Sequence, residues 1–273
     1  MENIKVAAVC MNAAPGEIEK NLMRIQSFVL KAAANGADMV CFPELSVTGY
    51  VLNRPSDVYK AMDPGKVLDQ LIHMARESGV VLIVGLIEIS EGRKPYITQM
   101  VTGPEGLMGL YRKTHLSPAE ENVYQAGQQI MTFIHGNTTF GVQLCYEAHF
   151  PEISTLTALM GADVLFIPHA SPRGNPMEKL KSWLRHLTAR AFDNGVFLVA
   201  CNQAGKTSEG FSFPGVALAL RPDGQILARY AGKRENILFA ELEAAVLQDI
   251  RQHRMKYFLP QRRPDLYRKI ADS

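Results

Sequence analysis

Cysteine is scarce. Cys10, Cys41, Cys145 and Cys201 are the four present, far apart and without a C-x-x-C pair. That spacing excludes a disulfide scaffold or a zinc site, and a reducing cytoplasm is the expected compartment. Long apolar runs are also missing: none approaches the roughly 18 residues of a membrane span. The opening Met1-Glu2-Asn3-Ile4-Lys5 lacks the charged and apolar regions of a signal peptide. Nor is there an excess of one charge. The 29 Lys and Arg against 27 Asp and Glu leave a net +2, too little to argue for nucleic acid. The densest basic cluster, residues 251–268, is broken by Tyr257, Phe258 and Pro260. It reads as a solvated tail or a subunit contact. The histidines show no metal-ligand spacing, and there is no P-loop and no G-x-G-x-x-G after a strand. No metal, nucleotide or other cofactor is therefore expected. Apolar residues, by contrast, make up 47% of the 273. They allow a large core in a chain whose length suits one α/β domain over residues 1–273.

Strand and helix patterns alternate. Residues 4–10 form a compact apolar run. In residues 17–35, Ile18, Leu22, Ile25, Val29 and Ala33 recur at helical spacing, and Gly36 stops them. A short buried strand follows at 39–42, a helix at 67–78 and an apolar strand at 80–87. The second half echoes the first. Gly36-Ala37-Asp38 before the strand ending at Pro43 matches Gly161-Ala162-Asp163 before the strand 164–167 and Pro168. A helix over 177–193 and a strand over 196–201 complete the echo. Gly103-Pro104-Glu105-Gly106 and Pro222-Asp223-Gly224 are matching hairpin turns. Two sheets, each covered by helices on one face, would bury their bare faces against each other. The expected fold is a four-layer α-β-β-α sandwich; a single doubly wound sheet is the alternative.

Three segments place a reactive group at the carboxyl end of a strand, where α/β proteins gather their ligand sites. They are Phe42-Pro43-Glu44, Tyr111-Arg112-Lys113-Thr114-His115-Leu116 and Leu144-Cys145-Tyr146-Glu147. Singly, each has a plainer reading: a surface acid, a solvated lysine, a small core thiol. Together they supply what a cysteine nucleophile needs, a base and a charge for the oxyanion. A Cys–His pair with His149 or His169 is the rival arrangement, but it leaves Glu44 and Lys113 unexplained. Cys10, Cys41 and Cys201 lie in apolar runs and read as core thiols.

These blocks, with Phe150-Pro151-Glu152 after the third, resemble the signature blocks of the nitrilase-like carbon–nitrogen hydrolases in order and spacing, over essentially the whole chain. The resemblance implies an αββα sandwich, a homodimer, no cofactor, and Glu44, Lys113 and Cys145 as catalytic triad. It further implies a second glutamate beyond the lysine that positions the substrate and the lysine. Glu121 fits that place best and Glu120 is the runner-up. On this reading Cys145 attacks the carbon, Glu44 relays the proton, Lys113 faces the oxyanion, and a backbone N–H near Tyr146 is a second donor. Water then clears the thioester.

The substrate expected is a small linear amide or carbamoyl compound, with release of ammonia. Tyr146 stands where nitrile-active relatives more often carry tryptophan, which favours an amide over a nitrile. Tyr146, Glu147 and Ala148 also replace the arginines of carbamoyl amino acid hydrolases. Tyr146, His149 and Arg173 are candidate substrate contacts, Arg173 for a carboxylate, whereas Trp183 reads as packing. A nitrilase, or a non-catalytic binding protein that keeps the fold, are the alternatives. The tail from about residue 251 is expected to pack on a second subunit; folding back on its own domain is the other possibility.

Overall fold

The computed structural model describes residues 1–53, 55–60, 62–90 and 93–271. Its first sheet is built from β1 (Ile4–Cys10), β2 (Met39–Cys41), β3 (Val81–Glu88), β4 (Tyr96–Gly103), β5 (Gly106–Arg112) and, returning late in the chain, β14 (Asn236–Leu242), in the order β14-β1-β2-β3-β4-β5. The second contains β6 (Thr132–His135), β7 (Thr138–Val142), β8 (Val164–His169), β9 (Phe197–Asn202), β12 (Gly215–Leu220) and β13 (Ile226–Gly232), in the order β13-β12-β9-β8-β7-β6. A short ribbon of β10 (Gly205–Lys206) and β11 (Ser212–Phe213) lies between β9 and β12 in the chain. The helices are α1 (Ile18–Ala34), α2 (Pro55–Lys60), α3 (Pro64–Ser78), α4 (Pro151–Leu159), α5 (Pro176–Leu184), α6 (Leu187–Asn194), α7 (Ala244–Gln252) and α8 (Arg268–Ala271). Among the described residues no helix is long and apolar enough to cross a membrane.

Period-two alternation sorts the strands into layers. Val6, Ala8 and Cys10 of β1 face Phe166, Val199 and Cys201 of the second sheet in the central core. Their neighbours Ala7 and Val9 pack outward on Leu22, Ile25 and Val29 of α1 and Leu71 of α3. Leu165, Ile167, Leu198 and Ala200 likewise pack outward on Leu180, Trp183 and Leu187 of α5 and α6. Strands buried on both faces read as continuous apolar runs rather than alternating ones, which is why β3, β8, β9 and β12 are such strong signals in the sequence. The result is the α-β-β-α sandwich; the single doubly wound sheet does not occur.

The internal echo is a structural repeat. Asp38 N–H donates to Lys5 O at 2.8 Å and Asp163 N–H donates to Thr139 O at 2.7 Å. Each aspartate then returns a carboxylate bond to the same partner's N–H, Lys5 at 2.7 Å and Thr139 at 3.1 Å. Pairing β1 with β7, β2 with β8, β3 with β9, β4 with β12 and β5 with β13 superposes the two strand orders. Even the register slips coincide: at Val101/Thr102 against β5 and at Ala219/Leu220 against β13.

One expectation needs revision. The helix over 177–193 is two helices, because His186 leaves helical geometry (φ −124°). Arg185 and His186 close instead on Ser182 and Trp183, three residues back. The tail also folds partly on its own domain: Arg251 donates to Asp163 at 2.7 Å and Ala162 O at 2.6 Å, and Leu259 is buried. Beyond it Met255, Phe258, Leu266 and Ile270 stay exposed.

Candidate active site

Glu44 follows β2 in a tight loop whose next residue, Leu45, has φ +58°. That left-handed conformation in a leucine is strained and must be held by its surroundings. Gln203 Nε2 donates to Glu44 O at 2.9 Å and Gln99 Nε2 to Phe42 O at 3.2 Å. Gly85 lets the loop lie flat on β3, since a Cβ there would come within 2.3 Å of Leu45 N. The Glu44 carboxylate is fully buried. One oxygen accepts from Lys113 Nζ at 2.7 Å and the other from Ala170 N–H, in the second half, at 3.0 Å. Burial raises its pKa to about 7, with Lys113 opposing and the Glu120 charge adding to the rise.

Lys113 follows β5 and is fully buried. Its ammonium sits between Glu44 and Glu120, at 2.9 and 3.0 Å from the two Glu120 oxygens. Burial works to lower its pKa; the two carboxylates outweigh it and the net direction is up, so the charge is permanent. An ammonium has three donors, and Lys113 meets three carboxylate oxygens while lining the cavity. The second glutamate is therefore Glu120, and the assignment to Glu121 is corrected. Ser117 to Tyr124 turns helically, with Glu120 and Tyr124 closing on Ser117 and Glu120 oxygens. One residue's step in such a turn swings a side chain by about 100°. Glu120 thus faces in, its Oε2 also accepting from Ser117 N–H at 2.8 Å, while Glu121 is exposed.

Cys145 begins a short 3-10 turn after β7 with φ +43°, strained for a side chain with a Cβ. The buried Glu147 holds it. One carboxylate oxygen accepts from Leu144 N–H at 2.5 Å; the other accepts from Tyr111 OH at 2.9 Å, Thr114 N–H at 2.7 Å and Thr114 Oγ1 at 2.5 Å. Glu147 thereby ties the lysine loop to the cysteine turn. Burial pushes the Cys145 thiol up to about 12, with the Glu44 charge adding and Lys113 opposing. The free protein stores a thiol, not a thiolate.

A cavity of about 810 Å³ opens on Cys145, Lys113 and Glu120. Tyr146, His149 and Arg173, the candidate contacts read from the sequence, line it; Glu121 does not. Tyr50 lines it too, edge-on to Phe211 at 5.4 Å, as do Lys179 and His186. Sequence reasoning passes over these: a lone tyrosine in a loop carries no signal, and the helical spacing Lys179, Ser182, Trp183, His186 is visible but mixed in polarity. Trp183 is at once packing and lining, buried and tilted on His169 at 4.3 Å. Burial lowers the pKa values of His149, His169 and His186, the last to about 4. The imidazoles are neutral near pH 7, and no hydrogen bond joins one to Cys145 among the described residues. The other cysteines are buried in the core, with Cys41 and Cys201 at Sγ–Sγ 3.8 Å between the sheets. Among the described residues no three His, Cys, Asp or Glu are gathered as metal ligands.

A buried acid, a buried lysine and a strained cysteine on three strand ends can be set beside known proteins. The family model described as carbon-nitrogen hydrolase matches residues 5–252. A nitrilase of Pyrococcus abyssi is 30% identical, covering 97% of this chain and 99% of its own. An omega-amidase of Mus musculus is 31% identical over 90% and 91% of the two chains. Among solved structures, the amidase of Nesterenkonia sp. AN1 superposes with a TM-score of 0.81 at 25% identity, over 97% of this chain and 96% of its own. One of its structures shows covalent addition of the acetamide moiety of fluoroacetamide at the active site cysteine. With the fold, the three reactive segments and the whole-length matches in agreement, this chain belongs to the carbon–nitrogen hydrolase family, with nitrilases and amidases as its relatives.

Proposed function

We propose that this hydrolase cleaves the C–N bond of a small linear amide through a thioester on Cys145, releasing ammonia. The observation that carries the reading is the Lys113 ammonium clasped by Glu44 and Glu120 beside the Cys145 thiol at the cavity floor. The thiol near 12 and the acid near 7 do not exchange a proton at rest. The transfer to Glu44 accompanies attack on the carbonyl, whose oxygen takes up negative charge facing the Lys113 ammonium. Protonated Glu44 then delivers the proton to the departing nitrogen, so one carboxyl serves as base and acid, which suits a pKa near working pH. Water, deprotonated by Glu44, attacks the thioester and frees the acid product and the thiol. Glu120 holds Lys113 in place, and Tyr50, Tyr146 and His149 bound the substrate.

Cys145→Ala is expected to abolish turnover, and mass spectrometry of wild type mixed with substrate should find an acyl adduct on Cys145. Activity in the variant would refute the proposal. A panel pairing each amide with its nitrile separates amidase from nitrilase, and the amide should be the faster of each pair.

The same reading includes a homodimer. Leu156 and Leu159 of α4, Met160, Phe192 of α6 and Phe258 of the tail are exposed, with Phe192 and Phe258 6.2 Å apart. Exposed apolar residues of this kind suit a two-fold contact. Light scattering at micromolar concentration should give twice the chain mass.

A further inference from the structure

The end of β9 and the two residues after it, Asn202-Gln203-Ala204, are fully buried and line no part of the cavity. Their bonds nevertheless run to three of its loops. The Asn202 amide grips Ser171 on both sides, accepting from its N–H at 2.9 Å and donating to its carbonyl at 3.1 Å. It also donates to Pro214 O at 2.8 Å. Gln203 Nε2 donates to Glu44 O at 2.9 Å. Ala204 N–H donates to Met11 O at 3.0 Å, beyond the end of β1. Ser171 follows Ala170, whose N–H holds the Glu44 carboxylate at 3.0 Å. Glu44 is therefore gripped at both ends from one segment. Gln203 takes its carbonyl directly, and Asn202 fixes the loop that takes its carboxylate.

The other polar atom of the side chain, Gln203 Oε1, is buried with no hydrogen-bond partner among the described residues. A buried acceptor left without a donor costs stability, so the amide serves there for its N–H. Gln99 repeats the pattern from β4: its Nε2 donates to Phe42 O at 3.2 Å and its Oε1 has no partner among the described residues. Two amides, one from each half of the chain, thus leave their acceptors unpaired to hold the carbonyls on either side of Pro43. The loop they hold needs that grip, since Leu45 sits at φ +58° and strain of this kind persists only where the surroundings enforce it.

We infer that Gln203, seated on the segment that also fixes the Ala170 loop, is a positioning residue: it aims the Glu44 carboxylate at Lys113 and the Cys145 thiol without touching the substrate. This rests on the amidase reading above and adds the residue that sets its base. Gln203 has a competing role, as a bond that merely docks one sheet on the other. That role would change stability and leave the chemistry of folded molecules alone.

Gln203→Met keeps the length of the side chain and removes the N–H. In the folded variant kcat should fall about 10- to 100-fold, as small misplacements at a reacting centre bring, with KM within a few-fold. The titratable groups facing Glu44 are Lys113, Glu120, Cys145, Tyr50 and Tyr124, and the variant alters none of them. It alters burial, the largest cause of the raised Glu44 pKa. A loosened loop lets water reach the carboxylate, so the acid limb of kcat/KM should move below its wild-type position of about 7. Circular dichroism melting checks that the variant is folded; if it is not, Gln203→Asn, one methylene shorter, should show the same two changes. A folded variant with kcat and limb unchanged overturns the positioning role, and so does a fall in kcat with an unmoved limb. Alkylation of Cys145 by iodoacetamide separates this inference from the amidase reading, because it draws on the same proton transfer to Glu44 without cleaving a C–N bond. An alkylation limb that shifts in Gln203→Met, in a protein whose wild type hydrolyses no amide, keeps the positioning role and refutes the amidase. An unshifted alkylation limb overturns the positioning role and leaves the amidase standing.

Discussion

The two halves share a strand order, a pair of aspartate clamps and even the position of a β-bulge, yet they carry different chemistry at equivalent places. Through the register of β1 on β2 and β7 on β8, Cys145 corresponds to Met11, which is fully buried. Glu44 corresponds to His169, a buried neutral imidazole tilted on Trp183. Gly85, which admits the Glu44 loop, corresponds to Cys201. The scaffold thus offers two strand-end positions in each half, and one of each pair is reactive. The first half gives the acid and, from its edge strand, the lysine; the second gives the thiol and most of the cavity wall. The repeat explains where side chains can be displayed, and departures from it explain which of them act.

The largest test removes the charge on which both halves converge. Lys113→Met should lower kcat by at least about 10²–10³-fold, the loss expected for one oxyanion donor. It should also lower stability by about 3–5 kcal/mol, because Glu44 and Glu120 remain buried without their cation. Steady-state kinetics and urea unfolding measure the two; a variant with near-normal kcat would mean that the convergence is structural only.

Next comes the Gly85–Cys201 pair. Gly85→Ala should displace the Glu44 loop, costing about 1–3 kcal/mol in stability and up to about 10²-fold in kcat, as small misplacements at a reacting centre do. Cys201→Ala, at the equivalent place, removes a buried core thiol and should leave kcat within a few-fold. Equal kinetic effects of the two would break the comparison.

A pH profile sharpens it further. On the proposed mechanism the base form of Glu44 is the active one, so kcat/KM should fall as pH drops through about 7. Glu120 adds to the rise in the Glu44 pKa, so Glu120→Gln should move that acid limb to lower pH and reduce kcat by roughly tenfold or more. Glu121→Gln, on the exposed side of the turn, should change neither. An unmoved limb in Glu120→Gln would remove Glu120 from the site's electrostatics.

The smallest effect concerns the aspartate clamps. Asp163 is buried and ion-paired to Arg251 at 2.7 Å, whereas Asp38 is exposed. Asp163→Asn should cost about 1.5–3 kcal/mol in urea unfolding and Asp38→Asn less than about 1 kcal/mol. Equal costs would show that Arg251 adds nothing to the second clamp.

Much of this architecture is legible in the residues themselves. The layers can be read because β3, β8 and β9 are buried on both faces and therefore uninterrupted by polar residues. The repeat can be read because Gly-Ala-Asp preceding a strand does the same backbone work twice. Glu44, Lys113 and Cys145 can be read because three reactive types follow three strands. Spacing points to Glu121 rather than Glu120 because a one-residue step around a turn decides inside from outside, and composition does not record it. The break between α5 and α6 is hidden because apolar and basic residues continue across it at helical spacing. Ala170 is invisible in principle: its contribution is a backbone N–H, which every residue but proline possesses.

That N–H has a consequence for how the chain matures. Glu44 reaches its final orientation only when a loop over a hundred residues downstream has come to rest against it. A nascent chain, or one half released by proteolysis, would hold the acid without its anchor or the thiol without its acid. The hydrolytic power of the molecule therefore switches on with the docking of the two sheets, and a partly folded copy is chemically quiet.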